Sequence, residues 1–345
     1  MSKQIIFWFE ELGPEHNDVV GKKCANLGKM TSMGLAVPPG FALSIDMYLE
    51  FIKTTGIDKQ LSSSVEACGE LKGAKITVYE ELSQKLRSII ENQEMPPNLK
   101  EMISSYYTTL CEKTGIENLA VSVRSAGTQS RPGMFETYLN VCGIDDVLAK
   151  VKKVWASAYT PRAIAFRSNK ELPILGDELG VAIPKMVNSR AAGIAFTVNP
   201  VDGDASQILL EANWGLGEGV VSGAESVDGF VVNKEDLKIK DRHIGNKSKY
   251  VIYTDEGADW ADMPDKLRCV SCLSDEEVVE IARIAKSTEA SLNAPQDMEW
   301  AIDQDLDFPK SLFWLQTRRA KVAAKKAEST AGHIADLLAK KLKGF

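Results

Sequence analysis

The sequence is poor in histidine, has no regular cysteine framework and lacks any long apolar run. Its three histidines, His16, His243 and His333, lie apart from acidic clusters, so we do not expect a histidine-based metal centre. The six cysteines are scattered, which predicts reduced thiols and a cytoplasmic protein. No apolar run approaches the roughly 20 residues that span a bilayer, and the first residues do not resemble a signal peptide. We therefore expect no membrane attachment.

The charge and length narrow the class of protein further. A formal net charge of −7 argues against nucleic acid as the main partner. A chain of 345 residues with 44% hydrophobic content is long enough for two lobes. Helical patterns dominate until about residue 168, and short β-rich runs dominate from residue 180. We therefore predict an N-terminal lobe over residues 1–175, a second lobe over 176–319 and a basic helical tail over 320–345.

The periodicity of apolar residues predicts individual elements within these lobes. Ser274 followed by Glu277 predicts a capping box at the start of one helix. Helices are expected over residues 24–33, 44–54, 75–92, 98–113, 144–157 and 161–168, and from 274 onwards. Strands are expected over residues 5–9, 41–44, 180–186, 193–198, 207–211, 229–233, 249–254, 297–303 and 311–318. The fold class predicted from this order is α+β.

The segment LAVSVRSAGTQSRPGMFETYLN, residues 119–140, is the first candidate binding element. It begins as an alternating strand and continues into a loop of small residues after Arg124. An arginine at a strand end, followed by a loop that exposes backbone N–H groups, suits a polyphosphate. A surface hairpin rich in turn residues is the alternative interpretation.

Two further segments are rich in lysine or glycine. GKKCANLGKM, residues 21–30, places a lysine at a predicted helix start, where it can hold phosphates, although the P-loop spacing is absent. EANWGLGEGVVSG, residues 211–223, follows a predicted strand but lacks the Rossmann spacing GxGxxG. Glu211 is therefore either an acceptor for ribose hydroxyls or a surface acid at a strand end.

The last predicted strand pair carries the densest group of functional side chains. Alternation places Asp297 and Glu299 on one face, and it places Gln316 and Arg318 on one face with Trp314. If the two faces coincide, hard oxygen ligands for Mg²⁺ lie beside a guanidinium that can neutralise a transferring phosphoryl group. An ordinary edge hairpin with solvated polar residues is the alternative.

Taken together, the motifs resemble the N-terminal ATP-binding domain of the phosphoenolpyruvate synthase and pyruvate phosphate dikinase family. The resemblance covers nearly the whole chain, and its ordered motifs are VGKKCANLGKM with GLAVPPGFALS, VSVRSAGTQSRPGMFETYLNV, VWASAYTPRAIAFR, PKMVNSRAAGIAFTVNP, LLEANWGLGEGVVSG, and DMEWA with FWLQTRR. That family has an ATP-grasp-like fold. The resemblance therefore implies two lobes with the nucleotide bound between them.

The resemblance also implies roles for individual residues. Lys23 and Arg124 would hold ATP phosphates, and Gly133 and Thr137 would belong to the loop that closes over them. Glu299 and Gln316 would meet Mg²⁺ and nucleotide, Arg318 the transferred phosphoryl group, and Asp297 would support this set. The remaining nucleotide-binding positions that the resemblance implies are Lys185, Met186, Val187 and Glu211.

Two positions depart from the family pattern. Lys22 occupies a position where the family has glycine, and Pro184 stands where the family commonly has glutamine before Lys-Met-Val. The first change alters the phosphate cradle, and the second removes a nucleotide contact.

The implied reaction transfers the β-phosphoryl group of ATP to a histidine and releases AMP and phosphate. The chain carries no Thr-Ser-His motif, so we expect a partner subunit that supplies this histidine in trans. Phenylphosphate synthase is an assembly of this kind, with phenol as acceptor. The alternatives are a non-catalytic nucleotide-binding regulatory module, an ATP-binding fragment or subunit of a phosphoenolpyruvate synthase, or ligase-type chemistry that yields ADP.

Overall fold

The computed structural model describes residues 4–321 except 130, 132, 222, 224, 225, 255 and 256. It contains two compact units. Unit 1 consists of the described residues of 1–34, 38–186 and 255–257, and unit 2 consists of those of 35–37, 187–254 and 258–345. The main boundary between the two units lies between Met186 and Val187. The boundary predicted from the sequence lies earlier, after residue 175.

Unit 1 combines a five-stranded sheet with a helical layer. Its strands are β1 (Ile6–Trp8), β2 (Gly40–Leu43), β3 (Val121–Ala126), β4 (Thr137–Val141) and β5 (Gly180–Pro184). Its helices are α1 (Asn17–Val20), α2 (Lys22–Ser32), α3 (Ile45–Thr55), α4 (Asp58–Glu66), α5 (Ile76–Glu91), α6 (Pro97–Thr114), α7 (Ile144–Ala156) and α8 (Pro161–Asn169). Short 3₁₀ turns lie at Phe9–Glu11, Pro14–His16 and Ser157–Tyr159.

The sheet of unit 1 has the strand order β1-β2-β5-β3-β4, and its neighbouring strands pair antiparallel. One face carries branched and aromatic residues that join the main core with the long helices, among them Val121, Val123, Val181 and Ile183. The other face carries small residues, including Ala42, Ala126 and Ala182, all fully buried. Small side chains let α1 and α2 approach the sheet backbone closely, as Gly180 shows, since a Cβ there would lie 2.2 Å from the Val20 carbonyl oxygen.

Unit 2 is built on a six-stranded sheet with the order β13-β12-β6-β7-β8-β9 and a separate two-stranded ribbon of β10 and β11. The strands are β6 (Ser189–Phe196), β7 (Gln207–Trp214), β8 (Asp228–Asn233), β9 (Ile239–His243), β10 (Lys249–Thr254), β11 (Gly257–Asp262), β12 (Gln296–Asp303) and β13 (Leu312–Arg319). The helices are α9 (Glu218–Val221), α10 (Asp265–Arg268) and α11 (Asp275–Leu292).

Helix α11 starts where the capping box predicts. Ser274 Oγ accepts from the Glu277 N–H at 3.2 Å, and Glu277 Oε2 accepts from the Ser274 N–H at 2.8 Å. Its apolar stripe, which includes Val278 and Ile281, is fully buried, and the helix contacts β6, β7, β8 and β12. The opposite face of the sheet is consequently free of this helix.

The α+β class is confirmed, and most predicted elements are present within a few residues. Seven of the described elements were missed, namely the helices α1, α4, α9 and α10 and the strands β4, β9 and β11. Nearly all of the predicted basic tail, from residue 322, and His333 lie outside the described residues. Within the residues that the structure describes, no helix is long and apolar enough to cross a membrane.

Candidate functional site

The start of α2 lies against the end of β3 in unit 1. Gly21 precedes the helix with a φ of +81°, and a Cβ there would lie 2.0 Å from the Ala126 carbonyl oxygen. The Lys22 N–H donates to the Gly127 carbonyl oxygen at 2.9 Å. Only glycine fits this backbone contact and this conformation. The junction fixes Lys23, the second residue of α2, next to the loop that follows β3.

Arg124 lies opposite Thr137 of β4 and opposite Ala182 of β5. Residues that face each other across antiparallel strands project to the same side of the sheet. Arg124 is partly buried, and its Nε is buried without a hydrogen-bond partner among the described residues. The register therefore brings together Arg124 and Thr137, which the sequence assigned to the same ligand.

The positive charges of Lys23 and Arg124 both act electrostatically on the buried thiol of Cys24. Complete burial raises the pKa of Cys24 to about 12, while the positive charges of Lys23 and Arg124 act in the opposite direction. Both cations therefore lie near the same thiol. Two positive charges at a helix start and a strand end are suited to an anionic ligand.

The loop between β3 and β4 is fixed by helix α8. Gly133 has a φ of +64°, and its carbonyl oxygen accepts from Arg162 Nη1 at 3.2 Å. Thr160 Oγ1, which also caps α8, donates to the Met134 carbonyl oxygen at 3.2 Å. The loop residue Gly133 thus has a defined backbone position.

Sequence reasoning missed two ionic contacts of this loop. Arg131 forms an ion pair with Asp177, which also accepts from Arg167 Nη1 at 2.9 Å. At the other end, Glu136 accepts from both Nη atoms of Arg87 at 2.7 and 2.9 Å. The signal available in the sequence was the presence of two charged residues, Arg131 and Glu136, in a loop of otherwise small or neutral residues.

Lys185 and Met186 follow β5 at the end of unit 1. Their backbone N–H groups donate to the carbonyl oxygens of Pro39 and Ala120, both at 2.8 Å. Val187 belongs to unit 2, where it is buried with Ala192 and Ala301. Lys185 and Met186 therefore belong to unit 1, and Val187 belongs to unit 2.

Strands β12 and β13 of unit 2 bring four predicted side chains together. Glu299 lies opposite Gln316, and Gln316 Nε2 donates to Glu299 Oε1 at 2.9 Å. Asp297 lies opposite Arg318, and Arg318 Nε donates to Asp297 Oδ2 at 2.7 Å. The two faces that the alternation predicted do coincide.

The prediction that Trp314 shares this face was wrong. The register shifts between Glu299 and Trp300, so that Trp314 pairs with Trp300 and Leu315 is an extra residue on β13. Trp314 is buried, whereas Leu315 packs with Ala301 on the other face. A β-bulge moves every residue on one side of it to the opposite face, and alternation alone does not reveal its position.

Glu211 lies in the same cross-strand row as Glu299. Glu299 of β12 pairs with Ile194 of β6 on one side, and Glu211 of β7 pairs with the same residue on the other side. Their backbones are thus two strand spacings apart, roughly 10 Å. The row presents two carboxylates and one carboxamide on the sheet face opposite α11.

Comparison with known proteins identifies the family. The family described as pyruvate phosphate dikinase, AMP/ATP-binding domain, matches residues 17–337.

The chain belongs to this family.

Curated relatives of this dikinase domain are longer proteins. A probable phosphoenolpyruvate synthase of Methanocaldococcus jannaschii is 36% identical over 95% of the chain, which spans 27% of that protein. The phosphoenolpyruvate synthase of Aeropyrum pernix is 34% identical over 95% of the chain and 44% of its own length. A similar probable synthase of Staphylothermus marinus is 35% identical over 97% of the chain and is also spanned to 44%. The chain thus spans less than half the length of these relatives.

The likeness to solved structures is weaker. The structure of D-cycloserine synthetase DcsG covers 83% of the chain at 12% identity, and its TM-score of 0.25 is too low to carry an argument. Membership of the dikinase domain family is consistent with the ATP-grasp-like fold that the motifs implied.

The side chains of this AMP/ATP-binding domain fit a hard divalent cation. Glu299 and Gln316 offer carboxylate and carboxamide oxygens, and Asp297 Oδ1 is buried without a hydrogen-bond partner in the described part of the chain. No group of three or more His, Cys, Asp or Glu residues suited to a metal occurs among the described residues. Such a donor set suits Mg²⁺, which usually takes one or two carboxylates and completes its shell with substrate phosphates and water.

Proposed function

We propose that this chain is the ATP-binding part of a dikinase-type phosphotransferase that passes the β-phosphoryl group of Mg·ATP to a histidine and releases AMP, while water takes up the γ-phosphoryl group as phosphate. The observation that carries the proposal is the paired register of β12 and β13, Glu299 with Gln316 and Asp297 with Arg318. It groups oxygen ligands and a guanidinium on one sheet face, as phosphoryl transfer requires.

The phosphate-binding role of unit 1 is supported by charge and by the backbone. Lys23 and Arg124 both act on the Cys24 thiol, and the α2 start is fixed to Gly127. In our proposal, these cations neutralise the phosphates, while Gly133 and Thr137 allow the loop backbone to approach them. Lys185, Met186, Val187 and Glu211 complete the proposed nucleotide contacts.

In unit 2, we assign Glu299 and Gln316 to Mg²⁺ and Arg318 to the transferred phosphoryl group. Bound Mg²⁺ would neutralise charge on the phosphate oxygens. Gln316 donates its N–H to Glu299, which leaves its carbonyl oxygen as an acceptor for the cation. Asp297 holds Arg318 through Nε, so that both Nη groups of the guanidinium stay available for phosphoryl oxygens.

The acceptor histidine is assigned to a separate domain or partner chain. Of the two histidines that the structure describes, His16 accepts from the Gly13 N–H at 3.0 Å and His243 lies on β9. Neither histidine belongs to the group of polar side chains on β12 and β13. A split phenylphosphate synthase with phenol as final acceptor is the version of this proposal that we favour.

A second candidate follows from the relatives. They are named phosphoenolpyruvate synthases and are more than twice as long as the part that this chain spans. The same ATP chemistry would then serve pyruvate as the final acceptor, within a longer protein or with companion chains. A non-catalytic nucleotide-binding module is the third reading.

Product analysis separates these candidates. The purified chain is incubated with Mg·ATP, alone and with the polypeptides encoded beside it, and nucleotides are resolved chromatographically. AMP that appears only with a histidine-bearing partner supports the proposal, and the dependence on added phenol or pyruvate identifies the final acceptor. ADP as product contradicts it, and tight ATP binding without turnover in any pairing favours the regulatory module.

A further inference from the structure

The carboxylate of Asp177 joins the loop between β3 and β4 to a buried arginine of α8. It accepts from Arg131 of the loop and, at 2.9 Å, from Nη1 of Arg167. Arg167 is only 2% exposed, and its Nη2 donates to the Ala158 carbonyl oxygen at 2.5 Å. Because Arg167 is held on both sides of its guanidinium, it gives Asp177 a rigid support.

The Arg131 side of this contact is also constrained. Its guanidinium carbon lies 5.1 Å from the centre of the Phe166 ring, and its side chain is 14% exposed. The neighbouring turn is closed by the Met134 N–H, which donates to the Arg131 carbonyl oxygen at 3.2 Å. Movement of the Arg131 side chain would therefore be transmitted to the turn that contains Gly133.

We propose that Asp177 is a positioning residue, which holds the loop of Gly133 in its phosphate-binding geometry by joining Arg131 to Arg167. The inference rests on the proposed role of this loop in binding ATP phosphates. Asp177 does not itself touch the nucleotide in this account. A fixed loop binds phosphate without an ordering cost, whereas a released loop must be ordered at the moment of binding.

A double-mutant cycle with two ligands tests the proposal. Dissociation constants of Mg·ATP and of adenosine are measured by calorimetry for the wild type, Asp177→Asn, Arg131→Gln and the double variant. We expect each single variant to weaken Mg·ATP about tenfold and the double variant to lose no more than either single one, since all three break the same connection. Adenosine, which lacks phosphates, should keep its wild-type affinity in every variant.

The control is Glu171→Gln, an equivalent change at an exposed carboxylate that pairs with Lys72 just after α8. It should bind both ligands like the wild type. Unchanged Mg·ATP affinity in both Asp177→Asn and Arg131→Gln would overturn the inference. A loss in Arg131→Gln alone would overturn it too, because Arg131 would then contact phosphate directly.

Two further observations keep the test decisive. Asp177→Asn leaves a buried cation in Arg167 without its carboxylate, so its thermal unfolding is measured beside the binding. If that variant does not fold, Asp177→Glu takes its place in the cycle, because it keeps a carboxylate beside Arg167 while it displaces the contact with Arg131, and it should show the same loss of Mg·ATP affinity. Failure of the wild type to bind Mg·ATP would refute the proposed function itself and is thus distinguishable.

Discussion

Gln316 donates its Nε2 hydrogen to Glu299 Oε1 at 2.9 Å, across the antiparallel pair of β12 and β13. One strand end thus combines an acid, an amide and, two register positions further along, the Asp297–Arg318 contact. The opposite face of the same strands is packed by Trp300 and Trp314. A buried apolar layer therefore supports the polar side chains that we assign to Mg·ATP.

Glu299→Gln should weaken Mg·ATP binding by tenfold or more, on the order of 1–3 kcal/mol, because a hard cation loses its charged ligand. Binding of ATP in the presence of EDTA should change little. Calorimetric titrations with and without Mg²⁺ measure both effects. Glu276→Gln, on the exposed first turn of α11, is the matched control and should bind normally. An equal loss of affinity with and without Mg²⁺ would contradict the metal assignment.

Arg318→Ala should lower AMP formation by about 10²-fold or more, which is typical when a donor to a developing anionic charge is removed. The thermal midpoint should fall only modestly, because Arg318 is 48% exposed, although Asp297, which is 11% exposed, loses its cation. Arg319→Ala is the control, since Arg319 is exposed and alternates to the other face. Full activity in Arg318→Ala, or equal losses in both variants, would remove Arg318 from the mechanism.

Gly21→Ala should destabilise unit 1 by about 1–3 kcal/mol more than Gly34→Ala. Both glycines have a positive φ, +81° and +80°, but a Cβ at Gly34 would meet nothing within 4 Å, while at Gly21 it would meet the Ala126 backbone. The free energies of unfolding of both variants are measured by urea denaturation. Because both substitutions introduce the same backbone strain, the difference between them reports the steric contact at Gly21. Equal destabilisation would show that the α2–β3 junction can relax.

Stability should fall between pH 9 and pH 12 partly because of Cys24. Its pKa is raised from 9.0 to about 12 by burial, so the unfolded thiol ionises first and the folded thiol keeps its proton. The contribution is complete below pH 9 and is lost as the pH rises, with a slope of up to about 1.4 kcal/mol per pH unit. Cys24→Ala should show a shallower fall in the free energy of unfolding over this window. Parallel curves for both proteins would contradict the assignment.

Lys247→Met should cost about 3–5 kcal/mol, because it leaves the Asp228 carboxylate buried without its cation. Both side chains are fully buried, and Lys247 Nζ lies 2.5 Å from Asp228 Oδ1. The Asp228 carboxylate also accepts hydrogen bonds from the backbone N–H groups of Gly245 and Cys272. Denaturant unfolding measures the change. Lys238→Met, which removes an exposed lysine paired with Asp236, should cost little. A small effect of Lys247→Met would mean that water reaches the pair.

Local patterns predicted much of the fold. The Ser274–Glu277 box and the alternation of Asp297 with Glu299 depend on residues close in sequence, and the structure contains both features. Strand β4 was missed because the short segment TYLN has no strand pattern of its own. It becomes a strand by pairing with β3, where Thr137 lies opposite Arg124. The side of the sheet on which Trp314 lies depends on a bulge at Leu315 that no alternating pattern contains.

The candidate site was predictable to a similar extent. Its own side chains belong to motifs, so the sequence singled out Arg124, Glu299 and Arg318 directly. Residues that hold the loop in place are not in those motifs. Asp177 acquires its role only when the segment before β5 meets Arg131 and Arg167, which is a relationship of the folded chain.

The most direct test of the account uses ATP labelled at the β-phosphate together with a histidine-bearing partner polypeptide. We predict that the label moves to the partner as an acid-labile, base-stable phosphohistidine, that AMP forms in step with it, and that Arg318→Ala lowers both by about 10²-fold or more. Label retained in ADP, or transfer of the γ-phosphoryl group alone, would contradict the dikinase chemistry that we propose for this chain.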